Sequence, residues 1–452
     1  MKNKALIIIS LILAVLLASP VYSRVLADSP AAETQAAILY VKPGAAGDCT
    51  SWEQACELQD ALGLAVPADQ VWVAAGTYKP TTTNERTISF VLKSGVALYG
   101  GFPANGGDWG QRDWQTHLTT LSGDIGVTGE AGDNSYHVIL GSDVDASAVL
   151  DGFTITAGNA DDPVVEDAGG GMFIDQGSPT LQDIHFLGNS AVYGGGIFNI
   201  AGSPALTGVT FTENEADTGG GGMVNFNGSN PTLVDVTFSN NSAQYGGGMD
   251  NYQDSNPEIM SVTFTGNSAM NGGGMFNVQS SPTLTNVTFS GNLADNGAGM
   301  YNYNASYPEL TNVTFTGNQA TSQAGGVYNA SSNPSLTNTI LWGNTPNQIA
   351  NEGSSPTVTF CDVQGGYLGE GNIDIDPLLG ILADNGGSTL THALLDNSPA
   401  IDAGSPSLCP PFDQRGHSRP VDGDQDGLAV CDMGSYEYGV ALFSLRLPLV
   451  VK

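Results

Sequence analysis

A chain of 452 residues with 12 basic and 45 acidic residues, and a net charge of −33 at pH 7, repels nucleic acid and anionic lipid. With 13 % charged and 40 % hydrophobic residues it is no disordered acidic tail. Its 60 glycines and 23 prolines point instead to many turns and short strands.

The start reads as an export signal. Met1-Lys2-Asn3-Lys4 is basic, Ala5 to Leu17 is apolar but short for a bilayer span, and small-residue cleavage sites follow at Val21-Tyr22-Ser23 and Val25-Leu26-Ala27. Residues 1–27 are expected to be a signal peptide, and the mature chain to be secreted or cell-surface, without a transmembrane segment. Five cysteines suit an oxidising compartment. Cys49 is expected to pair with Cys56 and Cys409 with Cys431. Cys361, in the strand-like run Val358-Thr359-Phe360-Cys361, is expected to be a buried thiol.

Residues 38–70 read as an N-terminal cap. Ser51 to Ala65 has an apolar face of Trp52, Ala55, Cys56, Leu58 and Leu62, and Ser51 and Gln54 have capping-box spacing, so a short helix is expected there. It would cover the open edge of whatever sheet follows. Val71 to Tyr78 reads as a strand and turn.

A repeat of about 26 residues then dominates. Pro-x-Leu recurs at Pro179, Pro231, Pro282 and Pro334, with variants at Pro204, Pro257 and Pro308. Seven residues after each proline stand Phe186, Phe211, Phe238, Phe264, Phe289, Phe315 and Leu341, and three further on Asn189, Asn214, Asn241, Asn267, Asn292, Asn318 and Asn344. Glycine clusters follow the first six, and then a second series, Asn199, Asn225, Asn251, Asn277, Asn302 and Asn329. The runs alternate with period 2 and none has helical periodicity. A unit this short fits one rung of a solenoid rather than a propeller blade. The fold expected is all-β, a right-handed parallel β-helix with a short N-terminal capping helix. The coil is expected over 71–370 and its regular part over about 165–345. The phenylalanines would stack inside, the asparagines would form amide ladders at the corners, and the glycines would supply positive φ and close approach.

Gly246-Gly247-Gly248-Met249 with Phe264-Thr265-Gly266-Asn267 resembles the repeats of chlamydial polymorphic outer membrane proteins, which implies a β-helical passenger and an adhesive role. The segments 71–78 and Gly95 to Phe102 resemble the start of secreted pectate-lyase-like β-helices. Residues 371–438, with Asp376-Pro377, Asp384-Asn385-Gly386-Gly387, Ser398 to Gly404, Asp413-Gln414-Arg415-Gly416 and Asp432 to Glu437, are similar to the choice-of-anchor Q region of bacterial extracellular proteins. Residues 439–452 form a tail, read as a last strand or a sorting signal.

Chemistry is sparse in this sequence. A lyase base would be an arginine or lysine, and none lies between Asp113 and Gln414. His185 alternates with Ile184 and Phe186 and is expected to face outward as a bystander. Asp161, Asp162, Glu166 and Asp167 form an acidic insert, and Asp217, Asp235, Asp250 and Asp254 are scattered; solvated loop carboxylates are the expectation, with no catalytic residue assigned. Asp422-Gly423-Asp424-Gln425-Asp426-Gly427 has the alternating carboxylates and sixth-position glycine of a Ca²⁺ loop, with Asp432 nearest the twelfth position. The expected ligands are therefore Asp422, Asp424, Asp426 and Asp432, with Ca²⁺ as the cofactor and a plain acidic turn as the alternative. The expected function is non-catalytic, adhesin-like binding of an extracellular polysaccharide or cell-surface component by a monomer. The alternative is a polysaccharide-active lyase or glycoside hydrolase.

Overall fold

A computed structural model describes residues 36–162 and 167–439. The expected signal peptide and nearly all of the tail lie outside the described residues, as does Glu166. What is described forms a parallel β-helix with three long sheets.

One rung shows how the repeat makes the coil. Thr180–Gln182 and His185–Leu187 are two short strands of sheet A, Ser190–Tyr193 belongs to sheet C, and Ile197–Ile200 belongs to sheet B. The chain then re-enters sheet A one rung further on, at Ala205–Thr207. Register is kept residue for residue: Leu181 lies beside Leu206, Phe186 beside Phe211, and Asn199 beside Asn225. Sheet A has 20 strands, sheet B 10 and sheet C 7 among the described residues.

Like residues stack because each position lies over its counterpart. The rings from Phe186 to Phe315 are buried and near-parallel, with centroids 4.6–5.0 Å apart. The first asparagine series turns the corner between sheets A and C. Asn214 donates from Nδ2 to Asn241 Oδ1 at 3.0 Å and to the Phe186 carbonyl at 3.0 Å. The second series forms a ladder too, with Asn225 donating to Asn251 Oδ1 at 2.9 Å, but it differs from expectation in place. These asparagines are the inward third residues of sheet B strands, one or two residues before the corner. Burial is tolerable there because the amide of the adjacent rung satisfies each amide. The glycine clusters do what their spacing implies. A Cβ on Gly196 would sit 2.4 Å from the Gly222 carbonyl oxygen and 2.8 Å from the Phe211 ring.

The N-terminal end departs from the sequence reading in two ways. The helix spans only Leu58–Leu64, because the Cys49–Cys56 disulfide and amide bonds from Gly47 to the Ala55 carbonyl and from Cys49 to the Gln54 carbonyl hold residues 47–56 in a turn. Ser51 Oγ accepts from the Gln54 amide inside that turn rather than capping the helix. The coil also starts before the helix. Ile38–Val41 pairs in parallel with residues 70–73, so the helix, through buried Leu58, Ala61 and Leu62, closes a core that already has its first strand.

At the other end the coil stops at Asp362–Val363. Cys361 is fully buried, and burial pushes its thiol up to about 12. The chain then folds back along the outer face of sheet A, adding one antiparallel pair, Leu379–Ala383 with Thr391–Leu394. Cys409 and Cys431 form the second disulfide within this segment.

Candidate functional site

Each rung of the regular coil bends once within sheet A, at a positive-φ residue that lies between two short strands or inside one eight-residue strand. Successive rungs place there Asp183, Gly208, Asp235, Ser261, Asn286, Asn312 and Asn338, with φ between 51° and 66°. Glycine, asparagine and aspartate tolerate this region best, so the bend column is rich in them.

The far part of this column is covered by the returning C-terminal segment. Asn286 donates to the Phe412 carbonyl, Asn312 to the Asp432 carbonyl and Asn338 to the Leu408 carbonyl, at 2.7–2.9 Å. Thr389 donates from its hydroxyl to the Ser261 carbonyl at 3.2 Å. The near part is covered by Arg112, whose Nη2 would lie 2.5 Å from a Cβ on Gly152. Between these covers Asp183, Gly208 and Asp235 stay open and floor a cleft of about 650 Å³. Trp114 and Gln115 wall it on one side, and Asp384, Ser388 and Arg415 on the other.

The cations at this cleft are already engaged. Arg112 is ion-paired with Asp151 and donates from Nε to the Gly100 carbonyl at 2.7 Å. Arg415 donates to Asp413 Oδ2 at 2.6 and 2.8 Å and to the Glu437 carbonyl at 2.7 Å, and it lies over the Tyr436 ring. The acids are not matched in this way. Burial raises Asp183 above the usual carboxylate range, opposed by a bond to Gln182 and the charge of Arg112; burial also raises Asp235, opposed only by Ser388.

The scattered carboxylates therefore do not share one fate. Asp235 is a cleft residue rather than a solvated loop acid, because the C-terminal segment returns beside it. Asp250 stands on the outer face of sheet B between Val224 and Phe276, and burial pushes it up to about 8. Asp161 is ion-paired with Arg86 at 2.6 Å. His185 is a half-buried residue on the outward side of sheet A, where burial lowers its pKa. Asp183 carried no signal in the sequence: it falls at the bend, outside the period-2 pattern, and its neighbours in the cleft come from residues 114–115 and 384–415.

The expected calcium residues divide, Asp422 and Asp424 staying together and Asp426 and Asp432 standing outside their group. Carboxylate oxygens of Asp422 and Asp424 come within 4.8 Å of each other and of Asp402, which the motif did not include. Asp402 Oδ2 accepts from the Gly423 and Asp424 amides, so it organises the loop from below. Asp422 Oδ1 is buried without a hydrogen-bond partner. Asp426 accepts from the Leu428 amide within its own turn. Asp432 is fully buried and accepts from the Asp402 and Tyr438 amides, and burial beside Glu437 pushes it up to about 8. It supports the loop's partner rather than facing the loop.

Asp413-Gln414-Arg415 and Glu437 belong to a buried knot. Arg419 lies 3.4 Å from Glu437 and donates to the Asp432 and Gly434 carbonyls, with both side chains fully buried. Such pairs are costly to break because one partner alone leaves an uncompensated buried charge.

Comparison with known proteins places the coil. Residues 195–364 match the family model described as right handed beta helix region. The crystal structure of pectate lyase Pel9A is similar in fold, with a TM-score of 0.55 at 14 % identity, over 90 % of this chain and 97 % of that one. No curated protein matches the sequence. The chain is a right-handed parallel β-helix of pectate-lyase-like fold.

Proposed function

We propose that this protein is a secreted or cell-surface, adhesin-like glycan-binding protein that takes an extended polysaccharide chain in the cleft on sheet A. The observation that carries the reading is the cleft itself. It is an open groove on the flank of a solenoid, walled by two non-coil segments and lined by hydroxyls, carboxylates and one indole. Trp114 offers an apolar ring with a polar edge, and Thr210, Thr237 and Ser388 offer hydroxyls. Asp183, Asp235 and Asp384 favour a neutral chain over a polyuronate. Lyase action is the weaker reading, since there is no lysine at the cleft and both arginines are committed to acids.

The test is retention of the protein on immobilised neutral glycans and polygalacturonate. Retention on a neutral glycan that falls at least tenfold in Trp114→Ala is the expected result. Equal retention of wild type and variant on every surface would sink the reading.

We also propose that Ca²⁺ binds the 422–427 loop. The carboxylates of Asp402, Asp422 and Asp424 and the unpartnered Asp422 Oδ1 support this, since hard oxygen donors are what Ca²⁺ takes. Its role here is structural, bracing the turn that follows Asp402.

A further inference from the structure

We propose that Trp109 is a further glycan subsite, so that the polysaccharide held in the sheet A cleft runs on toward the N-terminal end of the coil. This rests on the glycan reading above and extends it beyond the cleft.

Trp52, Trp72 and Trp109, three of the chain's five tryptophans, pack with Tyr40, Tyr99 and Phe102 at the outer side of sheet A. Trp109 is the most open of the six, at 47 % exposed. An exposed ring backed by five others is a patch rather than an isolated surface side chain.

That ring is held in place. The centroids of Tyr99, Trp72 and Phe102 lie 4.8, 5.6 and 6.0 Å from its own, and the Arg112 guanidinium lies over it at 5.4 Å. Its backbone is held as well. The Asp108 amide donates to Gln111 Oε1 at 3.0 Å across the single turn Trp109–Gln111, and the Trp52 indole donates to the Gly107 carbonyl at 2.9 Å. A large ring fixed before contact loses little entropy when a sugar face stacks on it.

The platform is continuous with the cleft. Trp72, Tyr99, Asp151 and Gln182 share one register position on successive rungs, and Asp183 of the cleft floor follows Gln182. The backbones of Tyr99 and Gln182 are therefore two strand spacings apart, about 9.5 Å. Arg112 spans this interval. It lies over the Trp109 and Tyr99 rings and pairs with Asp151. A Cβ on Gly152 would meet Arg112 Nη2 at 2.5 Å and the Trp114 Cβ at 3.0 Å, so Arg112 also reaches the wall of the cleft.

The surroundings suit a neutral chain. Arg112 is committed to Asp151, and Lys42, 5.7 Å from the Trp52 ring, donates to the Trp52 carbonyl at 2.9 Å. Neither is free to neutralise an acidic sugar, whereas the C–H face of a neutral pyranose needs only the ring.

The experiment titrates wild type, Trp109→Ala, Trp109→Phe and Trp114→Ala by calorimetry with trimers and octamers prepared from xylan, glucomannan and arabinan. Melting temperatures check that each variant folds. The wild type should bind an octamer more tightly than its trimer. Trp109→Ala is expected to weaken the octamer about tenfold, the worth of one aromatic stacking contact, and to leave the trimer unchanged. Trp109→Phe, which keeps a ring beside Arg112, should recover part of that loss, and Trp114→Ala should weaken both lengths. An octamer bound no more tightly than its trimer, or unchanged octamer binding in Trp109→Ala, overturns the subsite and leaves the cleft reading standing. Equal loss at both lengths in Trp109→Ala also overturns it, because Trp109 would then act on the cleft through Arg112. Binding of neither length by the wild type removes both readings.

Discussion

The Thr288 hydroxyl donates to Gln414 Oε1 at 2.7 Å, joining residues 126 apart in sequence at a fully buried contact. Gln414 uses its other end as well, donating from Nε2 to Thr263 Oγ1 at 2.8 Å and Thr389 Oγ1 at 2.9 Å. One side chain thus ties two rungs of sheet A to the returning segment, and its loss removes one bond from each of three hydroxyls, which keep their contacts with Ser435 Oγ, the Leu390 carbonyl and the Ser261 carbonyl.

Gln414→Ala is expected to destabilise the protein by about 1–3 kcal/mol, the loss of several buried hydrogen bonds made by one side chain. The measurement is chemical denaturation together with limited proteolysis. New cleavage between residues 384 and 435 with the coil intact is the expected pattern. An unchanged midpoint and unchanged cleavage would count against the contact's importance.

Phe238 sits in mid-stack, 4.6 Å from Phe211 and 4.8 Å from Phe264. Phe238→Ala should cost about 3–5 kcal/mol by opening a cavity that neighbouring rungs cannot close. Phe238→Leu should cost much less, since Leu341 fills the equivalent place one rung beyond Phe315 in the native coil. Denaturation midpoints of the two variants check the order, and equal losses would contradict it.

Asp250 gives a pH dependence with a definite sign. Its folded pKa, raised to about 8 by burial, exceeds its unfolded value near 4, so folding favours the protonated acid. That contribution is complete below about pH 4 and is lost as pH rises toward 8. Melting temperature should therefore fall between pH 5 and pH 8 more steeply in the wild type than in Asp250→Asn. Parallel profiles would show that Asp250 is not the titrating group.

Millimolar Ca²⁺ is expected to raise the melting temperature, because a ligand that binds only the folded state stabilises it by mass action. Asp424→Ala and Asp402→Ala should abolish the rise, while Asp426→Ala should leave most of it. Calorimetry with and without chelator reads all three. No shift in the wild type would remove calcium from the account.

Much of this structure can be read from the residues alone, and the limits have physical causes. The 26-residue period, the Phe186-to-Phe315 stack and the Asn189 series are visible because a solenoid forces like residues into register. A third ladder had the same signal and was missed. Ser229, Ser255, Ser280, Ser306 and Ser332 each stand two residues before a repeat proline, and the amide of Ser255 donates to Ser280 Oγ at 3.2 Å. Helical spacing at Ser51 misled because a disulfide between cysteines seven positions apart overrides local propensity. The cleft was hidden for a different reason. Asp183 and Asp235 become neighbours through the coil, but only the return of Asp384 to Arg415 makes a wall beside them, and no local pattern encodes that docking. Asp402 escaped the calcium reading in the same way, lying 20 residues before the loop it supports.

The returning segment changes how the solenoid should come apart. A stack in which each rung touches only the next unravels from its ends, rung by rung. Here the bonds from Thr389 to Ser261 at one limit and from Asn338 to Leu408 at the other fasten rungs that do not touch each other. Pulling on the C-terminal end of the coil would thus have to release this clasp first. The fraying that limits linear repeat arrays is replaced by a single barrier, shared by every rung from Ser261 to Asn338.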